Sequence, residues 1–198
     1  MMAGSGERKV FSTLGASNHT EEERAEQDFY ATDPKALELL LERERFSNVW
    51  ECACGENHLA DVLERKGLLK RKSDIVDRCD GGGIEILDFL SAGNKESYNG
   101  DIITNPPYKH ALEFVEKALS LVEEKRKVAM FLRIQFLEGQ RRRKLFDRKP
   151  PKTIYVPSRR LSCAKNGDFE NYGNGAVCYG WFVWEKGFNG KTVVEWIN

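Results

Sequence analysis

The segment NVWECACGENHL, residues 48–59, contains the pattern that decides the fold. An apolar run around Trp50 leads through small residues into Gly55, after which Leu59 and Val62 recur at helical spacing. Small residues and glycine are typical of a sharp change of chain direction. The segment therefore predicts a strand, a tight turn and a helix.

The same alternation continues in both directions along the chain. Upstream, Asp33 and Pro34 have the residue types that cap and start a helix, and the apolar pattern behind them ends near Arg45. Downstream, the predicted strands are residues 73–76, 101–104, 127–133, 152–156 and 176–184, and the predicted helices are residues 111–122 and 137–146. Strands that alternate with helices predict an α/β domain with a parallel sheet. The last two strands, with no obvious helix between them, predict a closing hairpin with an antiparallel strand near the C-terminus.

The overall composition fits one domain. A chain of 198 residues that is 40% hydrophobic can bury a single core, so residues 28–198 are expected to form one domain behind a flexible arm, residues 1–27. The formal net charge is zero, which excludes a polycation that coats nucleic acid nonspecifically. No apolar run has the length of a membrane span or a signal core, so we expect a cytoplasmic protein without a membrane partner.

The cysteines predict neither a disulfide framework nor a metal centre. Their number, five, is odd, and reduced thiols are expected in a chain without a secretion signal. Cys52 and Cys54 have the spacing of half a zinc site, but the second pair of ligands that a structural zinc ion requires is missing. We therefore interpret them as small residues in a tight turn.

The turn at Gly55 lies where an open α/β sheet binds its cofactor, outside the carboxyl end of a strand. Asp74, near the end of the next strand, can accept hydrogen bonds from both hydroxyls of a ribose, and Asp77 is a rival for this role. Asp88 can accept from an adenine amino group, while Phe89 or Leu90 packs on the ring. A solvated or capping role is the alternative for each carboxylate.

The most specific motif is Asn105-Pro106-Pro107-Tyr108, which follows the apolar strand Asp101-Ile102-Ile103-Thr104. Two consecutive prolines fix two φ angles and remove two amide donors, which produces a stiff loop with outward carbonyl groups. The side-chain oxygen of Asn105 and the carbonyl of Pro106 can together accept both protons of a substrate NH2 group and direct its lone pair toward a methyl donor. Tyr108 can stack on a planar amide or on an extruded base.

These motifs resemble those of amino-methyltransferases with an (Asp/Asn/Ser)-Pro-Pro-(Tyr/Phe) sequence, most closely the DNA adenine methyltransferase-like proteins of phages and prophages. The resemblance rests on DFYATDP at residues 28–34, the turn at residues 51–58 and the Asn105 to Tyr108 motif. It implies a Rossmann-like fold with a mostly parallel seven-stranded sheet and helices on both faces. It also implies S-adenosyl-L-methionine as cofactor, S-adenosyl-L-homocysteine as product, and methylation of an exocyclic amino nitrogen such as N6 of adenine in DNA.

The resemblance also assigns cofactor contacts. Those implied for the methionine end are Phe29, Tyr30 and Thr32; those along the turn are Glu51, Ala53 and Gly55; and those for ribose and adenine are Asp74 and Asp88. Phe89 and Asn105 complete the set of expected cofactor contacts. This chain departs from the family at the positions of the usual three glycines, where it has Ala53, Gly55 and Asn57. Alanine is small and asparagine tolerates left-handed backbone, so cofactor binding is expected but weakened.

Positive charge is concentrated near the expected active edge. Residues 139–165 contain ten Lys and Arg against one acid, and the densest part is Arg141, Arg142, Arg143 and Lys144. Phosphate contacts from such a patch position a nucleic acid without reading its sequence, and a solvated helix face is the alternative. No stretch is long enough for a separate target-recognition domain, so low sequence specificity is expected.

Several alternatives stay open at this point. The loop at residues 167–175, with Phe169 and Tyr172, can cover the pocket or simply connect strands. Arg133 and Gln135 lie at the functional edge and can touch substrate. The acceptor can instead be an RNA base or a protein glutamine, and a non-catalytic module that binds nucleic acid or cofactor is a third reading.

Overall fold

The computed structural model describes residues 31–79, 81–91, 93, 96–159, 161, 163–164 and 177–198. The expected arm at residues 1–27, the cofactor contacts Phe29 and Tyr30, and the loop at residues 167–175 lie outside the described residues. Within them, no helix is long and apolar enough to cross a membrane.

Ten strands and four α-helices form the described part of the chain. The strands are β1 (Ala31–Thr32), β2 (Val49–Glu51), β3 (Leu69–Asp74), β4 (Glu85–Ile86), β5 (Ile102–Thr104), β6 (Lys127–Arg133), β7 (Thr153–Pro157), β8 (Cys163–Ala164), β9 (Tyr179–Glu185) and β10 (Val193–Ile197). The helices are α1 (Pro34–Arg43), α2 (His58–Arg65), α3 (Ala111–Leu121) and α4 (Gln140–Arg148), with 3-10 turns at Tyr108–His110 and Ile134–Leu137.

Eight of the strands form one sheet in the order β10-β7-β9-β6-β5-β2-β3-β4. All neighbours in it are parallel except β9, which runs antiparallel between β6 and β7. This confirms the α/β fold class with an antiparallel strand near the C-terminus. The strand β10 at the edge makes the sheet one strand wider than the seven expected, and β1 and β8 form a separate antiparallel pair.

Helices cover both faces of the sheet because side chains alternate along the buried strands. On β6, Val128, Met130 and Leu132 face the core beneath α3 and α4. On the same strand, Ala129 and Phe131 face the core beneath α1 and α2. Such two-sided burial is typical of the central strands of a doubly covered sheet.

The helix starts follow local chemistry where capping residues are present. Asp33 Oδ1 accepts a hydrogen bond from Lys35 N at 2.8 Å, with Pro34 at the first helical position, as predicted. The predicted start of the basic helix at Leu137 is wrong. Ile134–Leu137 forms a 3-10 turn, and Gly139 has a φ of 102°, so α4 begins only at Gln140.

Candidate active site

The two key motifs lie side by side at one edge of the sheet. Strand β2 has β3 and β5 as its parallel neighbours, so the carboxyl ends of these three strands meet. Glu51, Asp74 and Thr104 are the last residues of the three strands. The glycine turn after β2 and the Asn105 loop after β5 therefore share the edge at which open α/β sheets bind ligands.

Two residues of the glycine turn adopt left-handed backbone. Gly55 has a φ of 52° and Asn57 a φ of 67°, and the Asn57 N–H donates to the carbonyl of Cys54 at 2.8 Å. The Asn57 side chain also donates from Nδ2 to Cys79 Sγ at 3.2 Å. Asparagine tolerates this backbone region better than most residues. Asn57 thus adopts a conformation that a glycine would adopt without strain.

The structure separates the two candidate ribose carboxylates. Asp74 is 8% exposed, and its Oδ2 accepts from the Gly55 N–H at 2.8 Å while its Oδ1 accepts from the Val76 N–H at 3.2 Å. Asp77 is exposed and accepts from Cys79 N at 2.9 Å within its own loop. Asp74 thus contacts the glycine turn, whereas the bond from Cys79 to Asp77 stays within its own loop.

Glu51 is fully buried at the end of β2. Its Oε1 accepts a hydrogen bond from the Ala53 N–H at 3.3 Å. Burial raises the pKa of this carboxyl from 4.5 to about 8 because the charged form loses its hydration. Burial therefore favours the neutral acid form of Glu51 over the carboxylate.

The two cysteines of the same turn have protonated thiols. Burial raises the pKa of the Cys54 thiol to about 12 and that of the Cys52 thiol well above its usual value. Among the described residues, no group of three or more His, Cys, Asp or Glu side chains is placed to hold a metal ion.

Buried polar atoms at this edge fit the donors of a cofactor such as S-adenosylmethionine. Within the described part of the chain, Glu51 Oε2 and Asn57 Oδ1 are buried acceptors without a hydrogen-bond partner. Burying an acceptor without a partner costs about 1 to 3 kcal/mol. A ligand that carries an ammonium group and ribose hydroxyls supplies the donors that these atoms lack.

The adenine-site candidates differ in exposure. Asp88 is exposed, and its Oδ1 accepts from the Leu90 N–H at 2.9 Å, which caps the local turn. Phe89 is 2% exposed and packs between Trp50, at 5.4 Å between ring centroids, and Phe114, at 5.0 Å. Phe89 is therefore part of the core, whereas Leu90 is half-buried.

A side-chain hydrogen bond ties the Asn105 loop to the N-terminal motif. Asn105 Nδ2 donates to Thr32 Oγ1 at 2.8 Å, although the two residues are 73 positions apart. Thr32 is 3% exposed in β1. This bond fixes the orientation of the Asn105 carboxamide and joins a predicted cofactor contact to the predicted catalytic residue.

The rest of the loop passes directly into a helix. The carbonyl of Pro107 accepts from the His110 N–H at 2.9 Å, which closes the 3-10 turn Tyr108–His110. Helix α3 follows without a break. The prolines and this turn together hold the loop against the end of β5.

Aromatic and cationic neighbours surround Tyr108. The guanidinium carbon of Arg133 lies 4.2 Å from the centre of the Tyr108 ring, and the Tyr108 hydroxyl donates to that of Tyr179 at 3.1 Å. Tyr179 in turn stacks on Phe131, with 5.4 Å between centroids. The Tyr108 side chain is therefore held by both a guanidinium group and a second tyrosine.

Sequence reasoning did not find Tyr179. It is the first residue of the aromatic strand β9 and pairs with Arg133 in the antiparallel register of β6 and β9. The pairing of β6 with β9 brings Tyr179 close to Tyr108, and no local sequence pattern indicates this contact.

The four predicted nucleic-acid contacts in α4 have different surroundings. Arg142 is half-buried, with Nη1 donating to the Gln135 carbonyl at 3.1 Å and its guanidinium 5.2 Å from the Phe136 ring centre. Arg143 is paired with Asp147 at 2.7 Å. Arg141 and Lys144 are exposed.

A groove of about 390 Å³ connects this helix to the catalytic loop. Its lining residues are Tyr108, Lys109, Ala111, Leu112, Glu113, Phe136, Gly139, Gln140, Arg141 and Arg142. The structure thus brings two of the four predicted nucleic-acid contacts, Arg141 and Arg142, next to Tyr108.

Structural comparison finds this fold in known methyltransferases. A structure of a type I restriction-modification system aligns with a TM-score of 0.55 at 13% identity, over 88% of this chain and 46% of that chain. The M protein of the type I restriction enzyme EcoKI aligns with a TM-score of 0.51 at 16% identity, over 81% of this chain and 44% of that chain. A Listeria monocytogenes protein assigned to the class I S-adenosylmethionine-dependent methyltransferases aligns with a TM-score of 0.52 at 12% identity, over 82% of this chain and 62% of that chain.

The chain therefore has the fold of the class I S-adenosylmethionine-dependent methyltransferases. It spans about half of the length of the restriction-system proteins that it matches. No protein-family model and no curated protein matches its sequence.

Proposed function

We propose that this protein is an S-adenosylmethionine-dependent methyltransferase that methylates an exocyclic amino nitrogen, namely N6 of adenine in DNA. The observation that carries the proposal is the 2.8 Å hydrogen bond between Asn105 and Thr32. It joins the stiff Asn-Pro-Pro-Tyr loop to the N-terminal motif at the edge where the fold binds its cofactor.

The cofactor would be held by residues of three neighbouring strand ends. Thr32 and Glu51 would contact the methionine end, Ala53 and Gly55 would line the turn, and Asp74 would accept from the ribose. When bound there, S-adenosylmethionine supplies an electrophilic methyl group. The neutral form of Glu51 is expected to lose its proton when a cationic group comes within hydrogen-bond distance.

The chemistry of the loop suits an amino group. The lone pair of an exocyclic amine is conjugated with the ring, which makes the nitrogen a poor nucleophile. Hydrogen bonds from both N–H groups to Asn105 Oδ1 and the Pro106 carbonyl would shift this lone pair out of conjugation. The surplus proton leaves after methyl transfer, and water can accept it, so no histidine is needed as a base.

The basic groove supports a nucleic acid as the substrate. Lys109, Arg141 and Arg142 line it beside Tyr108, where phosphates of a bound strand would lie. The matched M protein of EcoKI belongs to a restriction enzyme, which supports DNA as the acceptor. RNA carries similar phosphate charge and is the second candidate, whereas a protein glutamine leaves this charge without a role.

Two measurements test the proposal in sequence. Isothermal titration with S-adenosylmethionine and with S-adenosylhomocysteine should show micromolar binding. Tritium transfer from labelled S-adenosylmethionine should then label DNA in preference to RNA and protein extracts. Absence of binding at millimolar ligand would contradict the proposal and favour a non-catalytic module, for which the altered glycine turn is the structural reason.

A further inference from the structure

We infer that the groove between α3 and α4 binds the sugar-phosphate backbone of the nucleic-acid strand that carries the target base, with Arg141 and Lys109 as its phosphate contacts. The inference deepens the proposed function and rests on it for the position of the target base. It assigns the phosphate contacts to two residues that line the groove rather than to the whole basic surface of α4.

The position of the groove is the first argument. It begins at Tyr108, the last residue of the catalytic loop, and runs between the start of α3 and the start of α4. A volume of about 390 Å³ is within the range of ligand clefts. A nucleotide whose base reaches Asn105 must leave its phosphates near the loop, and this groove adjoins Tyr108.

The charge at the start of α4 is the second argument. Helix starts favour acidic residues because the exposed backbone N–H groups carry partial positive charge. The first turn of α4 has no acid, its N-cap Gly139 provides no side-chain acceptor, and Arg141, Arg142 and Arg143 follow directly. This arrangement is unfavourable for the free helix, and a bound phosphate would neutralise it.

The contacts of the individual arginines are the third argument. Arg142 is held in the groove wall by the Gln135 carbonyl and the Phe136 ring. Arg143 is neutralised by Asp147 and does not line the groove. Arg141 and Lys109 are exposed and line it, so their cationic groups can reach a bound phosphate.

One carboxylate also lines the groove. Glu113, in the first turn of α3, shares the wall with Lys109. Its negative charge opposes phosphate binding, so its removal should have the opposite effect from removal of Arg141. Removing a positive charge and removing a negative charge from the same groove should therefore change DNA binding in opposite directions.

The test measures binding of the full chain to a fluorescein-labelled single-stranded DNA oligonucleotide by fluorescence anisotropy, without S-adenosylmethionine, between about 50 and 200 mM salt. Arg141→Gln should weaken binding about five- to tenfold and lower the slope of log K against log salt by about 1. Lys109→Gln should act in the same direction, and Glu113→Gln should strengthen binding about twofold.

The matched control is Arg148→Gln, which makes the same charge change on the last turn of α4, outside the groove. It should change the affinity less than about twofold. Equal weakening by Arg141→Gln and Arg148→Gln, or no wild-type binding at about 50 mM salt, would overturn the inference. Failure of the proposed function would instead appear as absence of S-adenosylmethionine binding in the titration. The two failures can be told apart because the anisotropy assay contains no cofactor.

Discussion

The glycine turn after β2 and the Asn105 loop after β5 lie next to each other but are held in different ways. Two prolines stiffen the Asn105 loop, and a side-chain bond to Thr32 orients its carboxamide. The glycine turn contains one glycine, and contacts from Asp74 at the end of β3 and from Cys79 in the loop that follows hold it in place. The loop is rigid because of its own sequence, whereas the turn depends on residues about twenty positions further along the chain.

This difference separates two roles. A rigid acceptor loop suits the chemical step, since its hydrogen bonds must be in place when the transition state forms. A turn supported by distant side chains suits a binding step, because the loss of one contact lowers the affinity only in part. Substitutions in the loop should therefore change the rate, and substitutions around the turn should change cofactor affinity and stability.

The largest effect is expected for Asn105→Ala. It removes an acceptor that is used in the reaction, so methyl transfer should fall about 100- to 1000-fold while S-adenosylhomocysteine affinity stays within about twofold. Single-turnover transfer and isothermal titration measure the two quantities. Loss of affinity together with rate would point to misfolding, and near wild-type transfer would contradict the assigned role.

Glu51→Gln tests the buried acid of the turn through the pH dependence of stability. The folded protein binds a proton at Glu51 up to a pKa of about 8, whereas the unfolded chain releases it near 4.5. The folded state therefore binds more protons in this window, and the free energy of unfolding falls as the pH rises through it. Urea unfolding should show a decrease of about 3 kcal/mol between about pH 5 and about pH 8 that Glu51→Gln removes.

A decrease of the same size in Glu51→Gln would show that other groups cause the pH dependence. The substitution keeps the shape of a neutral acid, so the variant should be at least as stable as the wild type near pH 8.

Asp74→Ala compared with Asp77→Ala distinguishes the two carboxylates near the turn. Asp74→Ala removes the partner of the Gly55 N–H and a predicted ribose acceptor, so S-adenosylhomocysteine affinity should fall at least about tenfold. Among the hydrogen bonds of the described residues, those of Asp77 stay within its own loop. Asp77→Ala should therefore change S-adenosylhomocysteine affinity by less than about twofold. Isothermal titration decides between them, and the reverse order would assign the ribose to Asp77.

The smallest effect is expected at Asn57. Both Asn57→Ala and Asn57→Gly lose the contact with Cys79, but alanine also pays about 1 to 2 kcal/mol for the left-handed backbone. Urea unfolding should therefore find Asn57→Gly more stable than Asn57→Ala by about 1 kcal/mol. Equal stability of the two variants would show that the turn relaxes out of this conformation.

The sequence predicted those parts of the fold that have local signals. Strand β6 has the predicted bounds because its apolar run is continuous, and α1 starts at the Asp33 cap. Strand β3 was predicted only from Ser73 but starts at Leu69, because charged side chains hide its first residues. One of them, Arg71, lies 3.9 Å from the Trp50 ring centre and pairs with Glu85.

The site could be predicted from sequence only as separate motifs. The Asn-Pro-Pro-Tyr loop and the glycine turn were located because their chemistry is contained in a few consecutive residues. The bond between Asn105 and Thr32, and the covering of Tyr108 by Arg133, depend on strand order and register. Such contacts between residues far apart in the chain have no local sequence signal.

The most direct test of the central claim is mass analysis of nucleosides from a single-stranded DNA oligonucleotide incubated with the protein and S-adenosylmethionine. The account predicts N6-methyldeoxyadenosine from the wild type and little of it from Asn105→Ala. A methyl group on carbon or oxygen, or equal product from Asn105→Ala, would contradict amino methylation at the Asn105 loop.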